Sequence, residues 1–332
     1  MKKILTVMAV SLLAVAGCSR WTEPEALEYQ TRTPAEQDKS GYDAYLKRLR
    51  DWKRSNHKIV MVTMPGTTSK PVRQPQHLTA VPDYVDYICM YDAEGLHPEV
   101  AAEIAEVTKQ KGTQVLCVVD YMAIENEWED YLSELKGSGV TDLPTVDDYA
   151  VYCRRRTQAM LDCCDASGFA GIVLSYTGTT ASDLKTRGQE EFMECYSAWR
   201  RSHRNRLVVL HGYIKNIKTE YRSVIEDARY IVLWSTDNTT PSQLTIYVAG
   251  QLVADVPTDR FVIETSLPTA DNPTQTGVTA EVAAKWVTEE DARFTKSGLY
   301  MSTIQDDYYN AERNYTTVWQ SAMTMNPDTP QF

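Results

Sequence analysis

The sequence predicts an α/β fold, a single-domain (β/α)8 TIM barrel, and three observations point there. Eight short runs nearly continuous in apolar residues recur along the chain, helical patterns alternate with them, and 332 residues less a 17-residue leader leave 315, a normal length for a barrel with insertions. Uniformly apolar strands mark a parallel sheet buried on both faces, and eight of them suffice to close it. An open doubly wound sheet is the alternative, but no glycine-rich phosphate loop follows the first run.

The leader comes first. Lys2 and Lys3 precede an apolar stretch at 4–15 that is too short to span a bilayer, and Val15-Ala16-Gly17-Cys18 closes it with small residues and a cysteine. This pattern predicts a lipoprotein signal peptide over 1–17. Cys18 would then carry acyl chains and tie the protein to the membrane through a lipid anchor only. An ordinary secretory leader is the alternative. Residues 18–53 are polar and read as a tether ending in a first helix at 41–52, which leaves 54–332 for the barrel.

Strands are expected at 59–63, 87–91 and 115–119, with a helix over 97–111 between the last two. Pro98 opens that helix, Val100, Ile104 and Val107 recur at helical spacing, and Gly112 stops it. A long helix opens at Thr145, with Asp148 three residues on as in a capping box, and closes at Gly168. The fourth strand follows in 168–177, "GFAGIVLSYT". Runs at 207–210, 230–233, 261–264 and 298–302 supply four more, with a helix over 279–294 before the last.

Charge and cysteine usage narrow the partners. The net charge is −11, and −13 without Lys2 and Lys3, so phosphate backbones would repel the chain and nucleic acid is excluded as a partner. Of seven cysteines, the six beyond Cys18 contain no CxxC pair and lie mostly in apolar runs, which favours buried free thiols, although the even count also permits disulfide pairs. The histidines show no metal-ligand spacing, and neither a metal nor a cofactor is expected.

The fourth strand carries a near-motif. Aligned on Gly168-Phe169 and Gly171-Ile172, it resembles the D-x-x-D-x-D-x-E signature of glycoside hydrolase family 18, the chitinases and endo-β-N-acetylglucosaminidases. The signature's acids fall on Ala170, Val173, Ser175 and Thr177, and each is replaced. The resemblance extends over about residues 55–328, including the closing segments at 306–310, 315–318 and 325–327. It looks like the lipoprotein branch of that family in gut Bacteroidetes, which sits beside outer-membrane glycan importers and neighbouring hydrolases.

The resemblance implies substrate-assisted chemistry. The last acid protonates the glycosidic oxygen, while the acid two residues earlier orients the sugar's acetamido group. Residues two apart on a strand share one face, so Val173, Ser175 and Thr177 should all point into the barrel. A hydroxyl at 177 cannot act as a general acid near neutral pH. The resemblance therefore implies a family 18-like barrel with no catalytic residue left at the signature.

Sites in such barrels gather at the carboxyl ends of the strands. There the sequence offers Tyr91, Asp120, Ser175, Tyr176, Thr177, Tyr213, Trp234, Asp237 and Glu264 as substrate-binding candidates. Aromatic faces cover the C–H face of a pyranose, and carboxylates accept from its hydroxyls. His211, following an apolar run, reads as a core histidine. Two functions follow: a cell-surface lipoprotein holding oligosaccharide for uptake, or an active hydrolase using relocated carboxylates such as Asp120, Asp237 or Glu264. The second requires a carboxylate pair about 5 to 9.5 Å apart.

Overall fold

A computed structural model describes residues 34–235, 237–269, 271, 277–309 and 314–332. The leader, Cys18 and the tether as far as residue 33 lie outside the described residues. One compact unit spans Ala44–Phe332 and another ends at Asp43. The boundary falls inside helix α1 (Lys39–Lys53), ahead of the break expected at 53. The reason is burial: Tyr45, Leu46, Leu49 and Trp52 are all buried, the Tyr45 hydroxyl donates to Asp83 at 2.9 Å, and Trp52 packs on His57.

The strands are β1 (Ile59–Pro65), β2 (Tyr87–Tyr91), β3 (Gln114–Asp120), β4 (Gly171–Tyr176), β5 (Leu207–Gly212), β6 (Tyr230–Leu233), β7 (Phe261–Ser266) and β8 (Lys296–Ser302). They form a closed barrel in chain order, each neighbour parallel, with β8 returning to β1. β4 lies between β3 and β5, so Ile172 has parallel neighbours on both sides. All eight expected strands are present, several a residue or two longer.

The pleat divides two cores. Met61, Cys89, Leu116, Val173, Val209, Val232, Val262 and Tyr300 fill the barrel, while alternate residues such as Val62, Ile88, Cys117, Leu174 and Leu210 face the helices. Buried on both faces, the strands needed the uniformly apolar runs seen in the sequence.

Between the strands lie α2 (Pro98–Lys111), α3 (Tyr121–Gly137), α4 (Val146–Ala166), α5 (Asp183–Ser202), α6 (Ser223–Asp227), α7 (Pro241–Ala249) and α8 (Ala280–Thr288), and α9 (Ile304–Tyr309) and α10 (Thr316–Met325) close the chain. Helix ends follow the local chemistry. His97 Nδ1 accepts from the Glu99 amide at 3.3 Å, Gly112 takes the left-handed conformation with φ 74°, and Thr145 with Asp148 forms a full capping box. The helix expected over 279–294 stops at Thr288, because Glu289 turns extended and Asp291 then caps the Arg293 amide at 3.0 Å in a tight turn.

Candidate functional site

In-register pairing sets three polar side chains side by side at the carboxyl end of the barrel. Asp120 on β3 pairs with Ser175 on β4, and Ser175 pairs with His211 on β5. Across the opening, Glu264 on β7 pairs with Tyr300 on β8. These five, with Thr63, Tyr91, Thr177, Tyr213, Trp234 and Ser302 among others, line a cavity of about 320 Å³. A larger polar cleft of about 490 Å³, containing Lys58, Arg229 and Arg260, opens at the opposite end. That end carries stability in such barrels, whereas the carboxyl-end loops carry function.

The polar side chains form one hydrogen-bonded row. His211 Nδ1 is 3.0 Å from Ser175 Oγ, and its Nε2 is 3.0 Å from Glu264 Oε2. Glu264 Oε1 accepts from the Ser302 hydroxyl at 3.1 Å. Asp120 Oδ1 accepts the Met122 amide at 3.0 Å, capping α3, and Ser175 lies beside this carboxylate as its register partner. Tyr300 stacks on the imidazole with ring centres 5.2 Å apart.

The row sets the charges. Burial alone would lower the His211 pKa, but the charge and hydrogen bond of Glu264, with Asp120 behind, overcome it and raise the group above its ordinary 6.5. Charged, the ring donates from both nitrogens, to Ser175 and to Glu264. Burial raises the Asp120 carboxyl, opposed by the Met122 amide, by His211 and by Ser175. The floor is thus a histidine whose charged form Glu264 favours, with Asp120 behind it.

Of the residues the sequence put forward, Tyr91, Asp120, Ser175, Thr177, Tyr213, Trp234 and Glu264 meet around this one cavity. Tyr176 does not. It follows the outward phase of β4, fully buried against Tyr121 at 5.0 Å and Phe192 at 6.3 Å, with Gln189 donating to its hydroxyl. Its expected ligand contact is corrected by the same alternation that turns Ser175 and Thr177 inward. Asp237 is exposed on the loop after β6 and stands outside the cavity lining, where its charge adds to burial in raising the Tyr213 hydroxyl. Val173 lies below the cavity, in the barrel core.

Sequence reasoning read His211 as a core histidine and passed over Tyr300, Thr63 and Ser302. His211 is buried and hydrogen-bonded on both nitrogens, as a core histidine is, yet it also lines the cavity, because on β5 it shares the inward phase of Val209. Among the described residues, His77, Glu99 and Glu103 have donor atoms within 4.8 Å of one another, the spacing of a possible metal set. Glu103 is already committed there, to His77 Nδ1 at 2.6 Å and to the Leu78 amide at 2.6 Å, pinning the β1–β2 connection to α2.

The comparisons with known proteins agree with this architecture. No curated protein matches the chain. A selenomethionine structure of a BT1044 variant superposes with a TM-score of 0.60 at 16% identity, over 91% of this chain and 98% of that one. The endo-β-N-acetylglucosaminidase from Cordyceps militaris gives 0.60 at 14% identity, covering 86% and 96%. A family 18 chitinase from Pseudoalteromonas aurantia gives 0.52 at 8% identity, covering 80% and 99%. At these identities the structures share the fold. The family model described as glycoside hydrolase family 18, BT1044-like, matches residues 22–323, and the chain belongs to that family.

Proposed function

We propose that the protein holds N-acetylglucosamine-containing or N-glycan-type oligosaccharides at its barrel mouth without cleaving them. It would do so as a lipid-anchored protein of the outer membrane, facing the cell exterior beside a glycan importer and neighbouring hydrolases. A mutant of the Cordyceps militaris enzyme is described in complex with fucosyl-N-acetylglucosamine-Asn, which supports this ligand class. The observation that carries the reading is the floor of the cavity. Ser175 and Thr177 occupy the inward positions where the family's acids act, and His211 sits there bonded to Glu264. In its charged form, which Glu264 favours, His211 opposes the positive charge that develops on the sugar during glycoside cleavage. Neutral sugar against Tyr91, Tyr213 and Trp234 meets no such penalty.

A second reading, hydrolysis by relocated carboxylates, has one observation in its favour: burial raises the Asp120 carboxyl, as a general acid requires. Against it, that carboxylate is engaged by the Met122 amide, and both Glu264 oxygens are engaged as well. Turnover and affinity on a chitobiose-core N-glycan separate the two. Binding without turnover is expected. Turnover that persists through purification and is lost in Asp120→Asn establishes the hydrolase instead.

A further inference from the structure

A second cavity, of about 790 Å³, opens between α3 and α4 and is lined by Trp128, Tyr131, Asp142, Tyr152 and Arg155 among others. Its wall is aromatic. The Trp128 ring centre lies 5.6 Å from that of Tyr131 and 5.2 Å from that of Tyr152. The Tyr152 hydroxyl donates to Glu127 Oε2 at 2.7 Å, and Arg156 clamps the same carboxylate. Tyr131 nonetheless leaves 43% of its surface exposed.

Two charged groups of this groove, Asp142 and Arg155, are unspent, whereas Thr145, Asp148 and Tyr152 bond within the protein. Trp128 is only 4% exposed, and its indole Nε1 is buried with no hydrogen-bond partner among the described residues. Asp142 makes no hydrogen bond or ion pair among the described residues, and Arg155 makes only its stack over the Tyr152 ring at 5.4 Å. A fitting occupant therefore has apolar faces for the rings, a donor for Asp142 and an acceptor for Arg155. Sugar rings with hydroxyls supply all three. A proline-rich segment lacks the donor, and an acyl chain lacks everything but the apolar face.

Position completes the argument. α3 leaves directly from Asp120 at the mouth, so Trp128, eight residues on, stands roughly 12 Å along the helix axis at 1.5 Å per residue. We propose that this groove is a second carbohydrate-binding surface, taking the outer sugars of an oligosaccharide whose inner unit enters the mouth. The inference rests on the proposed function of that mouth.

The experiment measures calorimetric affinity of the full protein for the N-acetylglucosamine dimer and hexamer. Tyr131→Ala combined with Arg155→Ala removes two exposed groove groups and should not disturb folding. It is expected to weaken hexamer binding about tenfold while leaving the dimer unchanged, whereas Trp234→Ala should weaken both. Equal native affinity for dimer and hexamer, or a groove variant that changes neither, overturns the inference and leaves the mouth reading intact. Hexamer binding lost in the groove variant but indifferent to Trp234→Ala keeps the groove and removes the mouth. Binding of neither oligomer, with a polyproline peptide captured instead, overturns both.

Discussion

Ser175 and His211 face each other as register partners on β4 and β5, with Oγ 3.0 Å from Nδ1. Glu264 holds the other ring nitrogen, so the pair is the centre of a charged row whose strength depends on pH. The folded His211 pKa is raised: burial opposes this, and Glu264 and Asp120 prevail. Its stabilisation is therefore complete below the ordinary 6.5 and is lost as pH rises through the higher folded value. Urea unfolding followed from about pH 6 to about pH 9 should show declining stability, and His211→Gln should flatten part of that slope. His57, raised by Asp86 against burial, retains a share of the same sign. An unchanged slope in the variant would mean that His211 is neutral in the fold.

Trp234 is half-buried at the mouth, with its ring centre 6.2 Å from Tyr213 and 5.7 Å from His211. Aromatic contacts contribute about 0.5–1.5 kcal/mol beyond area burial, so Trp234→Ala should weaken glycan binding by about fivefold or more. Titration calorimetry reads the affinity, and an unchanged melting temperature shows that the loss is local. Glycan affinity equal to that of the native protein would move the ligand away from β6.

Gly212 sits between His211 and Tyr213 with φ 117°, and a Cβ there would lie 2.2 Å from the Tyr176 carbonyl oxygen. Only glycine tolerates both the angle and the approach. Gly212→Ala should cost about 1–3 kcal/mol in backbone strain and displace the two side chains beside it. Thermal unfolding and the NMR signals of the His211 ring check this, and a variant with native stability and native ring shifts would contradict it.

The strands were legible because parallel β-structure buried on both faces leaves no room for polar residues, as in 207–210 and 230–233. Capping chemistry was equally local, so Pro98, Gly112 and the Thr145–Asp148 pair marked their helices. α5 went unread although its buried Phe192, Cys195, Tyr196 and Trp199 do recur at helical spacing, because charged residues interrupt them. Inward phase was readable for Ser175 and Thr177, and the same count displaces Tyr176. What the sequence could not show is which inward residues meet. The His211–Glu264 bond joins side chains 53 positions apart, and only barrel closure brings β5 and β7 within reach.

The anchor is a separate proposal, motivated by the small residues that end at Cys18. Cys18→Ala should shift the protein from the membrane fraction to the soluble one, since a tether without acyl chains has nothing to insert. Partitioning that does not change would show that the box is not read. Glycan affinity of the soluble variant should match the native value, because the barrel begins within α1 at Ala44.

The chemistry at β4 is tested by restoring it. Thr177→Glu returns a carboxyl to the inward position at the strand end, and a positioned general acid is worth about 10² to 10⁴ in rate. It should still give turnover near background on a chitobiose-core N-glycan, because the acid alone leaves the acetamido group unoriented and the His211 imidazolium in place. Ser175→Asp added to it supplies the orienting carboxylate and removes the hydroxyl bonded to His211. The double variant should therefore exceed Thr177→Glu by about tenfold or more, within the range of a positioned catalytic group. His211→Gln, made in that background, should raise the rate again by removing the opposing charge. Turnover in Thr177→Glu equal to that of the double variant would show that position 175 has no orienting role here. A rate that falls on adding His211→Gln would show that the imidazolium assists cleavage, and the case against hydrolysis would lose its electrostatic ground.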